Sequence, residues 1–210
     1  MRNNKLSTPT KAVSVIAGLA FTAAVGLTAC GNDDDALDGT ANDSATSGEE
    51  AGHNAADVEF AQGMIPHHVQ AVDMSELVPE RSDMPELRTL ADEIQAAQQP
   101  EIDQMTEMLE SWGEDVPDPD DPHAGHGDTS GMEGMMSDEE MAALENASGA
   151  EFDRMWLTMM IEHHEGAISM SETVLADGSD AEVEELAAEI IEVQREEIDL
   201  MRDLLEEVPS

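Results

Sequence analysis

Residues 64–76 read MIPHHVQAVDMSE, and residues 160–172 read MIEHHEGAISMSE. Each segment has two adjacent histidines, a methionine three residues before the first of them, and an alanine and a second methionine after them. The same register of 96 residues continues without a gap into 90–109 and 186–205, which share Leu-Ala, Glu-Ile, Gln and Glu-Ile-Asp. Roughly two residues in five are identical over about 55 positions, more than shared helical composition produces. The chain therefore contains a duplicated unit.

Each copy is predicted to form a helical hairpin, because apolar residues recur at steps of three and four and no segment alternates as a strand does. The 15 methionines and the scarcity of aromatic residues also favour helices. Ser137 and Glu140 are expected to cap a short extra helix. The predicted fold is all-α, a ferritin-like four-helix bundle made of two duplicated hairpins. We expect its long helices at about 57–78, 84–113, 150–176 and 180–207.

The first 29 residues have the composition of a targeting segment. Arg2, Lys5 and Lys11 precede an apolar run that ends in Leu-Thr-Ala-Cys at residues 27–30, the order typical of a signal peptide. The ending resembles the lipobox of bacterial lipoproteins, which implies cleavage before Cys30 and a lipid on its sulfur. The alternative is a short uncleaved membrane anchor. Cys30 is the only cysteine, so a lipidated chain keeps no thiol for disulfide or metal chemistry.

Composition divides the remainder of the chain. Residues 30–56 are rich in Asp, Gly, Asn, Ser and Thr and are predicted to form a disordered acidic tether. The bundle is predicted at 57–207, with repeat one at 57–113, a linker at 114–149 and repeat two at 150–207. The linker is either a plain connection or a flexible segment with further metal ligands, which would be His123, His126, Met132, Met135 and Met136.

Charge excludes two classes of partner. The 49 acidic and 8 basic residues give a formal net charge of −41. Nucleic acid and anionic lipid surfaces would be repelled, so neither is expected as an electrostatic partner. The same excess of carboxylates suits an extracytoplasmic protein and would concentrate cations near its surface.

On a helical wheel both histidine pairs fall on the core face of their helices, and the two rings of a pair diverge by about 100°. One ring of each pair should therefore reach the centre and the other a neighbouring helix. Gln98 and Glu101, with their counterparts Gln194 and Glu197, also fall within apolar stripes. A buried carboxylate is costly unless it is paired or bound to a cation. We therefore predict a polar bundle centre formed by His67, His68, His163, His164, Glu101, Glu197, Gln98, Gln194, Asp57, Asp153, Met64, Met160, Met74 and Met170.

Two interpretations of this centre compete. Its side chains could form a buried hydrogen-bond network that fixes the helix register. Alternatively, the histidines, methionines and glutamates bind a metal ion while the glutamines and aspartates orient them. Di-iron bundles use Glu-x-x-His, where this chain has Met-x-x-His, so iron fits less well. Imidazole with thioether suits copper, and His with Glu leaves zinc possible.

The two Met-x-x-His-His motifs, each followed by Leu-Ala-x-Glu-Ile and Gln-x-x-Glu-Ile-Asp, resemble the domain-of-unknown-function 305 (DUF305) family over nearly all of residues 57–207. The resemblance implies a ferritin-like four-helix fold in bacterial envelope or secreted proteins, some linked to copper binding or tolerance. The resemblance implies no particular enzymatic reaction. The first copy has Val69–Gln70 where the second has the more family-like Glu165–Gly166.

These patterns together predict a lipid-anchored protein on the extracytoplasmic face of the cell membrane that buffers, tolerates or delivers copper. No catalytic residue is predicted. One alternative is a ferritin-like enzyme with two metal ions and redox chemistry. The other is a metal-free helical module whose acidic surface docks a protein partner.

Overall fold

A computed structural model describes residues 52–118 and 133–209, and six helices account for most of them. No strand occurs in these two ranges. The predicted all-α fold, a four-helix bundle of two hairpins, is confirmed. The long helices are α1 (Ala55–Glu76), α3 (Pro85–Trp112), α5 (Ala150–Asp177) and α6 (Ala181–Glu207), and the short ones are α2 (Val78–Arg81) and α4 (Asp138–Asn146).

Several predicted features lie outside the described residues: the signal segment 1–29, Cys30 with its lipid, most of the tether, and His123, His126 and Met132 of the linker. Across 52–118 and 133–209, no helix combines the length and the apolar composition needed to cross a membrane.

Local capping sets where the helices begin and end. The Asn54 side chain accepts hydrogen bonds from the N–H groups of Ala56 and Asp57, and the Asp57 carboxylate accepts from the Asn54 N–H at 2.7 Å. This capping box starts α1 two residues before the predicted position. Pro85 starts α3 because its fixed φ suits a first turn. Gly113 ends α3 with a φ of 76°, a left-handed conformation that favours glycine.

Two prolines interrupt the hydrogen bonding of long helices without ending them. Pro66 lies inside α1 and Pro100 inside α3, and each removes one backbone N–H donor from its helix. Both helices continue beyond the proline.

Each long helix contacts two others, which closes the four into a bundle. α1 packs on α3 and α5 on α6 to make the two hairpins, and the hairpins meet through α1 with α5 and α3 with α6. The Trp156 indole donates a buried hydrogen bond to the backbone oxygen of Met74 at 2.9 Å. This bond joins the start of α5 to the end of α1, so these two helices are antiparallel.

The apolar core consists of two clusters, one at each end of the bundle. The Trp156 cluster combines the second half of α1 with the first half of α5, and the Phe60 cluster combines the remaining halves. Residues that are 96 positions apart, and so equivalent in the two repeats, lie in opposite clusters. Ala71, Ile94 and Met160 lie in the Trp156 cluster, whereas their counterparts Ala167, Ile190 and Met64 lie in the Phe60 cluster. The two repeats are thus related by an approximate twofold axis that passes between the clusters.

Candidate metal centre

Two histidines meet at the approximate twofold axis. His67 on α1 and His163 on α5 occupy equivalent positions in the two repeats, and neither has any exposed surface. Their ring centroids are 3.8 Å apart and their planes are inclined by 40°. The rings therefore contact each other between the two apolar clusters, one from each hairpin.

The second histidine of each pair turns toward its own hairpin partner, as the divergence of adjacent helical side chains predicts. His68 Nε2 donates to Glu101 Oε2 at 2.7 Å, and His164 Nε2 donates to Glu197 Oε2 at the same distance. Both rings are fully buried, while the glutamate side chains are 15% and 14% exposed. When such a ring is neutral and donates from Nε2, its free lone pair lies on Nδ1. This is the arrangement in which a carboxylate orients a histidine toward a metal ion.

The two histidine pairs, together with Gln98 on α3 and Gln194 on α6, form a polar layer between the apolar clusters. Many polar atoms of this layer have no hydrogen-bond partner. Buried groups of this kind in a folded protein call for an explanation such as a water or an ion. Within residues 52–118 and 133–209 the buried atoms of this layer that have no partner are Nδ1 and Nε2 of His67 and His163, Nδ1 of His68 and His164, Nε2 and Oε1 of Gln98, and Oε1 of Gln194.

Burial keeps the central rings neutral. It lowers the pKa of His67 from 6.5 to about 3, and the neighbouring His68 lowers it further while the Glu133 backbone opposes the shift. Burial also holds the pKa of His163 well below its ordinary value, with added repulsion from His67. Neutral imidazole is the form that binds a metal ion. The two rings are therefore available as ligands without first losing a proton.

The donor set determines which kind of ion these residues fit. In the described part of the chain, no three side chains of His, Cys, Asp or Glu converge as a metal cluster. In the described geometry, an ion at the histidine pair would therefore draw on a further ligand of another type. Met64 and Met160 are fully buried, and each lies one helical turn, about 4.5 Å along the axis, from its histidine. Since α1 and α5 are antiparallel, the two thioethers lie on opposite sides of the histidine pair. Imidazole and thioether together fit a soft ion.

Gln98 and Gln194 are buried in α3 and α6, each one turn before the glutamate that receives a histidine. Nε2 and Oε1 of Gln98 and Oε1 of Gln194 are buried without a hydrogen-bond partner among the described residues.

Four predicted site residues lie away from the histidines. Met74 belongs to the Trp156 cluster and Met170 packs against the Phe60 cluster, each seven residues beyond its histidine. Seven residues span about 10 Å of helix, too far for a shared ion. Asp57 accepts hydrogen bonds from Asn54, Ser179 and Asp180 at one end of the bundle. Asp153 lies in the first turn of α5. Hence the structure does not bring Met74, Met170, Asp57 or Asp153 to the centre.

One segment near the centre was not predicted. Residues 133–136, which we name the strap, cross from α5 to α1 beside the histidine pair. The Gln70 side chain donates to the Met136 backbone oxygen at 2.9 Å and accepts from its N–H at 2.7 Å. The signal in the sequence was the departure at position 70, since Gln70 is replaced by Gly166 in the second repeat.

Comparisons with known proteins agree with the fold and the motifs. Residues 57–205 match the sequence model of the family described as Domain of unknown function (DUF305). A DUF305 protein from Streptomyces coelicolor is 36% identical with a TM-score of 0.64, and the match covers 72% of this chain and 93% of that one. A DUF305 fragment from Deinococcus radiodurans is also 36% identical with a TM-score of 0.64, covering 73% and 97%.

Two further likenesses extend the comparison. CopM in its Cu(II)-bound form is 30% identical with a TM-score of 0.60, over 72% of this chain and 96% of CopM. CopM structures with Cu(I), with silver and without metal are similar as well. An uncharacterised protein of Acanthamoeba polyphaga mimivirus is 39% identical over 54 residues, 26% of this chain and 36% of the viral protein. The chain thus spans about a third of that curated relative. With the family match covering the whole bundle and the predicted motifs inside it, this chain belongs to the DUF305 family.

Proposed function

We propose that this protein binds copper ions in the layer between its two apolar clusters and serves as an extracytoplasmic copper buffer or carrier. The observation that carries the proposal is the contact between His67 and His163, two buried and neutral imidazoles whose four ring nitrogens have no partner among the described residues. A purely structural pair would gain stability from hydrogen bonds that these rings do not make.

The ligands would come equally from both repeats. His67 and His163 would supply nitrogen, and Met64 and Met160 would supply sulfur from either side of the pair. The inner rings now contact each other, so they would have to rotate apart to admit an ion. Copper in this setting would be cargo, held in either oxidation state by imidazole and favoured as Cu(I) by thioether.

The outer histidines would complete the set. Nδ1 of His68 and of His164 is buried and unpartnered in the described structure, and each ring is fixed through Nε2 by Glu101 or Glu197. A carboxylate on the far nitrogen raises the basicity of the near one and holds its orientation. Gln98 and Gln194 would steady the layer beside them.

Similarity to CopM supports copper over the other candidate ions. CopM has been solved with Cu(I), with Cu(II) and with silver, at 27–30% identity to this chain and over more than 95% of CopM. Silver is a soft ion like Cu(I), which agrees with a thioether-containing site. Zinc in proteins binds thiolate, imidazole and carboxylate, so the two buried thioethers of Met64 and Met160 fit copper better than zinc.

The location forms part of the proposal. The basic and apolar segment ending at Cys30 supports export and lipid attachment. The Streptomyces coelicolor relative, described as a candidate secreted protein, supports an extracytoplasmic site. A net charge of −41 would draw cations toward a bundle held at the membrane.

A competition titration tests the copper site. Purified protein would be titrated with Cu(I) against a chromophoric chelator, beside a variant carrying His67→Ala and His163→Ala. Loss of both central ligands should weaken Cu(I) binding by more than about 100-fold, above the range measured for outer-shell partners.

The matched control is His53→Ala. His53 stacks on Trp112 with ring centroids 4.4 Å apart, away from the layer, so its removal should leave the affinity unchanged. Met64→Leu with Met160→Leu would then separate the thioether contribution, which should be larger for Cu(I) than for Cu(II). Equal affinity of the wild type and the double histidine variant would disprove the proposed site.

A further inference from the structure

The two repeats differ beside their histidines for a structural reason. Gln70 and Gly166 occupy the same position, three residues after His67 and His163. Both face the strap, residues 133–136, which leads from the linker into the N-terminus of α4. Gln70 and Gly166 contact different parts of it, and each contact depends on the residue that is present.

Gly166 provides room for the strap on α5. A Cβ atom at this position would overlap the carbonyl oxygen of Glu133 and approach the Gly134 Cα to 2.8 Å. Gly134 also lies too close to α5 for a side chain. A Cβ atom added there would be 2.7 Å from the backbone oxygen of Glu162 and 3.0 Å from that of His163. Gly134 also has a φ of 84°, which favours glycine. The strap therefore crosses α5 backbone against backbone, at the turn that carries His163.

Gln70 fixes the other end of the strap on α1. Its amide makes two hydrogen bonds to the Met136 backbone, at 2.9 and 2.7 Å, as a neighbouring strand would. The Met136 side chain is only 8% exposed and joins the Trp156 cluster. On the α5 side the Ser169 hydroxyl donates to the Glu133 carboxylate at 2.9 Å. The strap is thus held at both ends, one on each hairpin.

The position of the strap makes it a cover for the histidine pair. It bridges the α1 and α5 turns that carry His67 and His163, and the Glu133 backbone lies close enough to the His67 ring to oppose the lowering of its pKa by burial. Both rings have no exposed surface. Ser137 immediately after the strap caps α4 with Glu140, so the segment beyond the cover is also anchored.

We propose that the strap closes the histidine centre from solvent and sets the rate at which a copper ion enters and leaves, with Gln70 and Gly166 as the residues that position it. The inference rests on the proposed copper binding. It explains why Gln70 and Gly166 differ at equivalent positions beside the histidine pair: a single strap must be hydrogen-bonded by one repeat and given space by the other.

The cover can be tested without metal. Gln70→Ala removes both hydrogen bonds to Met136, and Gly166→Ala forces Glu133 off α5. Diethyl pyrocarbonate modifies accessible neutral imidazoles, and peptide mass spectrometry would follow His67 and His163 in the apo protein. Modification should be about tenfold faster in each variant, the effect of losing one to two hydrogen bonds. The control is Gln62→Ala in the same helix, which loses a 2.8 Å bond to the Asp115 backbone outside the strap.

The rates of copper uptake and release test whether the strap controls exchange. Stopped-flow transfer of Cu(I) from a weak donor chelator to the protein, and from the loaded protein to a strong chelator, should both be about tenfold faster in the two strap variants. The equilibrium affinity should change by less than about twofold, because a cover alters both rates equally.

Unchanged modification rates in both Gln70→Ala and Gly166→Ala would overturn the strap as a cover. Faster modification with unchanged copper transfer would overturn its control of exchange. A wild-type protein that takes up no copper would defeat the proposed function and with it the copper role of the strap, while the modification rates would still decide whether the strap covers the rings.

Discussion

The two hairpins carry the same polar layer but differ at the residues around it. In both, one histidine reaches the twofold axis and the next donates to a glutamate on the partner helix at 2.7 Å. Outside the layer, Phe60 in the first hairpin corresponds to Trp156 in the second, whose indole is hydrogen-bonded to Met74. Gln70 corresponds to Gly166 at the strap.

This division separates two kinds of constraint. Side chains that meet across the twofold axis must satisfy both repeats at once, so a change in one copy would leave its counterpart without a partner. Positions that face the strap, the helix turns or the chain ends meet surroundings that occur only once. At these positions the two copies contact different neighbours, and their residues differ for that reason.

The largest expected effect comes from breaking the symmetric layer one side at a time. Glu101→Gln and Glu197→Gln each remove the charge that orients one histidine. Cu(I) affinity should fall by about 10- to 100-fold in each, the usual loss when an outer-shell partner of a ligand histidine is changed. If the two half-sites are equivalent, the two losses should agree within about threefold in the same competition titration.

Glu196→Gln is the matched control, since it removes the same charge from an exposed position beside Glu197. Its affinity should equal that of the wild type. A large loss in only one of the two layer variants would show that copper is bound mainly by one repeat, and no loss in either would remove the glutamates from the proposed site.

Periodicity placed the four histidines inside the bundle because helical geometry fixes the direction of a side chain. The spacing placed both histidine pairs and both glutamates on core faces, and all four histidines are fully buried. The same helical wheel placed Met74 and Asp57 beside them, although they lie at other levels of the bundle. A wheel projects along the helix axis, so it keeps direction and discards axial distance.

The strap could not be derived from either helix alone. Its contacts join Gln70 and Gly166 to a linker whose return path is a tertiary property, absent from any local pattern. What the sequence did contain was a break in the repeat at these positions. The structure explains the mismatch of Gln70 with Gly166, because the strap gives the two positions different neighbours.

A smaller effect should appear when the apo protein is acidified. The pKa of His67 is lowered to about 3 by burial, whereas its ordinary value is 6.5, so between these values the unfolded chain binds a proton that the folded chain does not. The free energy of unfolding should therefore fall as pH drops below 6.5, by up to about 1.4 kcal/mol per pH unit for this residue. His163, whose pKa is lowered for the same reason, should act in the same direction.

Urea unfolding between pH 5 and 6.5 would measure this slope in the wild type, in His67→Gln and in His163→Gln. In each variant the slope of the free energy of unfolding against pH should be smaller by up to about 1.4 kcal/mol per pH unit, since glutamine does not titrate. The two variants compare the repeats directly. A slope that is undiminished in both variants would mean that the central rings take up protons in the folded state.

The last comparison is between Asp57 and Asp153, which are equivalent in the repeats but not in their contacts. The Asp57 carboxylate accepts hydrogen bonds from the backbone N–H groups of Asn54, Ser179 and Asp180 and so joins the start of α1 to the turn between α5 and α6. One oxygen of Asp153 is buried without a partner among the described residues. Asp57→Asn should lower the free energy of unfolding by about 1–3 kcal/mol, because the amide loses the negative charge that strengthens these hydrogen bonds and keeps only one of the two acceptor oxygens.

Asp153→Asn should cost less than about 0.5 kcal/mol, since it removes a charge that the fold leaves partly unpaired. Urea unfolding at pH 7 with both variants would give the difference directly. Equal losses would mean that Asp153 has gained partners equivalent to those of Asp57, and that the ends of the bundle are as symmetric as its centre. An inequality of the expected size would place the divergence of the two copies at the ends and at the strap, where each repeat meets neighbours that the other does not have.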